Sequence, residues 1–121
     1  MKRKVLLVLV LFLPGVARAS VQSVLTENLV VQSEKAAYPS EAKKEIFKKA
    51  IERVSWKYIK DYLGEEKVQR ETLLLRQKVI KNYEKYILTL YPSGKLRRVG
   101  RFYEMPVSVK VSLNNLKILL L

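Results

Sequence analysis

The chain has 121 residues, 24 of them Lys or Arg against 11 Asp or Glu, for a formal net charge of +13. That length holds one domain. It contains no cysteine and no histidine, which excludes a disulfide framework, Ser-His and Cys-His nucleophile pairs, and the best ligands for zinc or haem.

Lys2, Arg3 and Lys4 form a positive start, Val5 to Val16 an apolar run of 12 residues, and Ala17-Arg18-Ala19 a small-residue cleavage signature before Ser20. This order predicts a secretory signal peptide over 1–19. The apolar run contains Pro14 and Gly15 and is short of the roughly 20 residues that a spanning helix needs. No cysteine follows it, so a lipid-anchored form is not expected. The predicted organisation is a signal peptide, 1–19, then a single α+β domain, 20–121, periplasmic or secreted after cleavage. Residues 1–19 hold four of the 24 basic residues and none of the 11 acidic ones, which leaves 20 against 11, a net +9, on residues 20–121. A basic exported domain suits an anionic polymer, a membrane surface or an acidic protein partner. Nucleic acid is not expected, because export separates the chain from it.

Leu29, Val30 and Val31 between polar neighbours predict a short strand. Ser40 is placed to cap a helix, with Glu41 in its first turn against the helix dipole. Ala42, Ile46, Phe47, Ala50, Ile51, Val54, Tyr58 and Tyr62 then recur at steps of three and four, the stripe of an amphipathic helix over 41–63. Lys43, Lys44, Lys48, Lys49, Glu52 and Lys57 lie mostly off the stripe, and Gly64 ends it. A second helical segment is predicted over 65–83 from Val68, Thr72, Leu75, Val79 and Tyr83, with Leu74 and Ile80 widening its apolar face. Tyr86 to Tyr91 is β-branched and aromatic, and Pro92 to Lys95 supplies turn chemistry, which predicts a strand and a turn.

A further strand region is expected over 96–113. There Val107, Val109, Val111 and Leu113 alternate with Ser108, Lys110 and Ser112, the period of a strand with one buried face. Pro106 cannot donate to a ladder and marks an edge, a bulge or a break. A short helix opens at Ser112 or Asn114. The predicted fold is therefore α+β, ordered β-α-α-β-β-α, with a long amphipathic helix on a small antiparallel sheet. Leu116, Leu119 and Leu120 of the last helix can join the core. Ile118 and Leu121 cannot share that face, since consecutive helical residues are about 100° apart. They are candidate interface residues.

Two carboxylate groups, Glu65-Glu66 and Glu41/Glu45, sit among lysines at helix starts, a solvated setting rather than the divided environments that acid-base catalysis needs. Lys95, Arg97, Arg98 and Arg101 crowd the hairpin beside Phe102 and Tyr103, and Gly100 allows a bulge or a close backbone approach. Basic residues interleaved with aromatics suit phosphate or stacked-base recognition and equally polysaccharide or phospholipid head groups, so these four are candidate anion ligands, with Phe102 and Tyr103 as candidate interface residues. The same charge would also protect a sheet edge from aggregation. No phosphate loop, GxSxG or HExxH motif is present, so neither catalysis nor a cofactor is expected.

"EAKKEIFKKAIERVSWKYIKDYLG" followed by "YILTLYPSGKLRRVGRFYEMPVSVKVSLNNLKILL" resembles the amino-terminal domain of flagellar assembly protein T and the related LPP20-type exported domains. The resemblance rests on the signal peptide, the helix with small residues at Ala42 and Ala50, the strand start at Tyr86-Ile87, and the closing "Y.MPVSVKV" and "L..L". It implies a non-catalytic periplasmic module that helps to assemble an envelope structure, in the flagellar case a ring around the basal body. Its implied partner is an envelope protein or a second copy of the chain.

Overall fold

The alternation of Val107, Val109 and Val111 with Ser108 and Lys110 makes the strand around which the other elements assemble. The computed structural model describes residues 23–34 and 38–121, so the predicted signal peptide, 1–19, and the predicted mature start at Ser20 lie outside the described residues. In chain order the elements are β1 (Val24–Gln32), α1 (Pro39–Leu63), α2 (Glu65–Arg70), α3 (Thr72–Lys78), a 3-10 helix (Ile80–Lys85), β2 (Ile87–Pro92), β3 (Arg97–Val99), β4 (Phe102–Ser112) and α4 (Leu113–Leu120). The four strands form one antiparallel sheet with β4 at its centre. It pairs with β1 on one side, and with β2 and then β3 on the other. The fold class is α+β, with the long helix laid on this sheet as the sequence predicts.

Register aligns Leu25, Leu29 and Val31 of β1 with Val111, Val107 and Met105 of β4, all on one face. That face and α1 enclose the core. Ile46, Ala50 and Val54 pack there with Val31, Val107, Val109 and Val111. Ala42 and Ala50 are both fully buried; their small side chains let the helix backbone lie close to its neighbours. The stripe runs on through Ile59 rather than Tyr62, which is half exposed and stacks under Lys117, 5.7 Å from its ring centroid. The opposite face of the sheet carries exposed Thr26, Asn28, Val30, Thr89, Tyr91 and Lys110.

Several local expectations give way to competing physics. Helix α1 starts at Pro39 and not after a Ser40 cap. Proline fits a first helical turn because its missing N–H would have no intrahelical partner there, and the Tyr38 carbonyl accepts from Ala42 N at 2.9 Å. The second helical segment is not continuous. It breaks at Glu71 and Val79 and tightens into the 3-10 helix. Polar side chains take backbone carbonyls at these points: Thr72 Oγ1 donates to Val68 O at 2.7 Å, and Asn82 Nδ2 to Lys78 O at 2.8 Å. The breaks let both Val79 and Ile80 reach the core, while Leu74 turns outward to 58% exposure.

The turn is also elsewhere. Pro92 to Lys95 does not reverse the chain; it joins β2 to β3, which follow one another along the same side of β4. The reversal is the two-residue loop Gly100-Arg101, where Gly100 has φ +62°, a left-handed conformation that hairpin loops of this length require. Pro106 lies in the central strand, opposite Val30, and not at an edge. Its carbonyl accepts from Ser93 N at 2.9 Å. The carbonyl and the missing N–H of one strand residue face the same side, so the absent donor falls where β2 gives way to β3. The close backbone approach belongs to Gly94, where a Cβ would lie 2.4 Å from Pro106 Cγ.

At the C-terminal end Ser112 caps α4, its Oγ accepting from Asn115 N at 3.3 Å. Leu116 is buried in the core, and Leu119 and Leu120 pack against it. No helix among the described residues is long and apolar enough to cross a membrane.

Candidate functional site

The β3–β4 hairpin separates the four basic residues that the sequence groups together. Cross-strand register puts Arg97 opposite Glu104 and Arg98 opposite Tyr103. Arg97 donates twice to Glu104 Oε2, from Nη2 at 2.8 Å and from Nε at 3.1 Å. Glu104 also accepts from Gln32 Nε2 at 3.0 Å, and these donors, Gln32 first, hold its carboxyl below the usual carboxylate range. Arg98 lies over the Tyr103 ring, 5.5 Å from its centroid, and donates to Gly100 O. Lys95 and Arg101 are exposed, and neither has an ion pair among the described residues. Phe102 is 41% exposed and Tyr103 half-buried. Among the described residues Lys95, in the connection before β3, and Arg101, in the hairpin loop, are thus without an ion pair, while Arg98 is stacked and Arg97 already paired.

Sheet-edge protection is built by α1 at β1. Lys49 Nζ donates to Gln32 O at 2.9 Å, and Arg53 Nη1 reaches Val30 O at 3.5 Å, so two outward carbonyls of the edge strand are covered. Lys49 also pairs with Glu34 and Glu45. On the same strand Tyr58 donates its hydroxyl to Glu27, and Lys57 Nζ stands 3.0 Å from Glu27 Oε1. The Tyr58 hydrogen bond, aided by Lys57 and opposed by partial burial, lowers the Glu27 pKa from its ordinary value. Burial first, then Glu27, raises that of Tyr58. Periodicity could not find this cluster, because it joins residues 31 positions apart.

A carboxylate with a lowered folded pKa stabilises the protein above its unfolded value, and that contribution is lost as pH falls through the folded one. Stability should therefore decline as the solution is acidified below the ordinary glutamate range. Glu27→Gln should cost about 1.5–3 kcal/mol at pH 7, the usual worth of a hydrogen bond to a charged group. It should also shrink the acid-induced fall in melting temperature. Melting curves at pH 7 and across the acid range check both outcomes.

Glu65 and Glu66 are exposed, with Glu66 only 3.7 Å from Arg70 one turn on. Among the described residues no group of three His, Cys, Asp or Glu side chains could hold a metal ion. The terminal helix places Ile118 at 65% and Leu121 at 83% exposure. Lys78 Nζ donates to Leu121 O at 3.0 Å, which brings the end of α3 to the end of the chain. Leu74 lies one turn before Lys78 and therefore on the same helix face. Leu74, like Ile118 and Leu121, is an exposed apolar side chain.

A third feature lies between α1, the 3-10 helix and β2. It is an open groove of about 720 Å³ with an apolar floor and a basic rim. The sequence does show Lys44 and Lys48 beside Phe47 and Ile51 along α1, but only the tertiary fold brings Tyr83 and Leu90 to face them. Comparisons with protein-family models, curated proteins and solved structures find no match to this chain.

Proposed function

We propose that residues 20–121 act as a non-catalytic exported assembly or interaction module, periplasmic and linked to flagellar or other envelope structures. Its partner on this reading is an envelope protein or a second copy of the chain. The observation that carries it is the division of α4. Leu116, Leu119 and Leu120 are held by the core, while Ile118 and Leu121 face outward. Full burial of one such side chain is worth about 1.5–3 kcal/mol, so a handful of them can anchor a contact. The resemblance to the flagellar and LPP20-type domains supports the same reading.

The test is Ile118→Asp with Leu121→Asp. Both side chains are exposed, so the melting temperature should hold within a few degrees. Self-association by sedimentation, or capture of envelope proteins by the purified chain, should fall at least tenfold. A wild-type chain that stays monomeric at high concentration and captures nothing would sink the proposal.

A second reading makes the hairpin an anion-binding site for envelope polymers or lipid head groups, through Lys95, Arg98 and Arg101. The exposure of Lys95 and Arg101 favours it, whereas the pairing of Arg97 with Glu104 removes one of the four ligands. Binding of this kind weakens steeply with salt, and an apolar contact does not.

A further inference from the structure

The groove between α1, the 3-10 helix and β2 has a composition that the core does not require. Its floor is apolar, formed by Phe47 and Ile51 of α1, Ile80 and Tyr83 of the 3-10 helix, and Leu90 of β2. Ile51 and Ile80 are buried, but Phe47, Tyr83 and Leu90 keep part of their surface open to the groove. Around this floor stand four cations, Lys44, Lys48, Lys81 and Arg76, with a single carboxylate, Glu52. That carboxylate is already taken, because Arg76 Nη1 lies 3.0 Å from Glu52 Oε1. Among the described residues Lys44, Lys48 and Lys81 have no ion pair. Lys44 and Lys48 are one helical turn apart, where like charges weaken a helix. An anion at the rim would relieve that repulsion.

We propose that this groove binds a single-chain anionic amphiphile, an acyl chain on the apolar floor with its carboxylate or phosphate head among Lys44, Lys48 and Lys81. The charge balance of the rim selects the head group. The floor selects the tail, since it offers apolar surface and few hydrogen-bonding groups beyond the Tyr83 hydroxyl. A sugar or a nucleobase would need polar partners that the floor lacks. The volume falls in the range of about 300–1,000 Å³ of small-molecule sites. Arg76 connects the site to a reporter: its guanidinium lies 5.7 Å from the centroid of Trp56, the one tryptophan of the chain. A head group that draws Arg76 away from Glu52 alters the surroundings of that ring.

The experiment titrates the purified protein with decanoate and dodecanoate below micelle-forming concentrations, following Trp56 emission and binding heat. Dodecyltrimethylammonium serves as the cationic control, inorganic phosphate as the head without a tail, and an acidic amphipathic peptide as the macromolecular rival. Dodecanoate should bind saturably at one site and about fifteenfold tighter than decanoate, the expected gain for two buried methylenes. The cationic analogue should bind at least tenfold more weakly. Lys44→Gln, Lys48→Gln and Lys81→Gln together should weaken dodecanoate at least tenfold while preserving the melting temperature and the chain-length increment. The paired variant Ile118→Asp, Leu121→Asp should bind dodecanoate as wild type does, so failure here and failure of the interface are separate results. The proposal is overturned by no saturable dodecanoate binding, by equal binding of both head-group charges, by phosphate binding as tightly as dodecanoate, or by capture of the acidic peptide alone.

Discussion

Replacing Ala50 by Lys should destabilise the domain more than any other change described and lower its melting temperature steeply. Ala50 is 0% exposed in the core that α1 shares with Val31, Val107 and Val109. A lysine there must either bury an unpaired ammonium or lift the helix off the sheet. Either outcome costs more than about 4 kcal/mol, a large part of the 5–15 kcal/mol by which native domains are stable. The contrasting variant is Lys43→Ala on the exposed side of α1, which should stay within about 0.5 kcal/mol of wild type. Lys49, although also off the apolar stripe, is not a neutral position, because it holds Gln32 O, Glu34 and Glu45. Circular dichroism and thermal melts of the two variants decide the matter. Equal melting shifts would mean that α1 does not face the sheet through Ala50.

Truncating Tyr86 should have the next largest effect. Among the described residues it is the largest fully buried side chain, and its hydroxyl meets Ser55 Oγ at 2.7 Å inside the core. Its backbone closes the junction between the 3-10 helix and the sheet. The amide donates to Tyr83 O at 3.0 Å, and the carbonyl accepts from Ser112 N at 2.8 Å. Tyr86→Ala should therefore cost about 3–5 kcal/mol, the range for emptying a buried aromatic site. Tyr86→Phe keeps the ring and strands only the Ser55 hydroxyl, for about 1–3 kcal/mol. Ser55→Ala combined with Tyr86→Phe should cost less than the two single changes added together, because neither hydroxyl is then left alone. Denaturant midpoints of the three variants measure that coupling, and strict additivity would mean that the two hydroxyls do not interact.

Alkaline titration reports on the same ring. Burial pushes the Tyr86 phenol up to about 12. A phenol whose folded pKa is raised stabilises the protein fully below its unfolded value near 10, and the contribution is lost as pH rises through the folded one.

How much of this was legible in advance follows the range of each interaction. Helix α1 and strand β4 could be read because each repeats its apolar residues at its own period, 3.6 or 2, and one buried face enforces that period. The division of α4 into core-facing Leu116, Leu119 and Leu120 and outward Ile118 and Leu121 was readable for the same reason. The break of the second helical segment was not. Its apolar spacing suits a continuous helix, and what interrupts it is the capture of carbonyls by Thr72 and Asn82 together with the pull of Val79 and Ile80 into one core. Turn chemistry misled in the same way: Pro92 to Lys95 looks like the reversal, yet the left-handed residue that the hairpin needs is Gly100.

The sequence by itself determined the α+β class, the stripe of α1, the alternation of β4 and the absence of thiol and imidazole chemistry. All of these follow from composition or from neighbours a few residues apart. Only the tertiary structure decided that Glu27 meets Tyr58, that Arg97 is occupied by Glu104, and that Lys44, Lys48, Arg76 and Lys81 ring one apolar groove. Pairings of this kind depend on strand register and helix placement, which are set when the core packs as a whole.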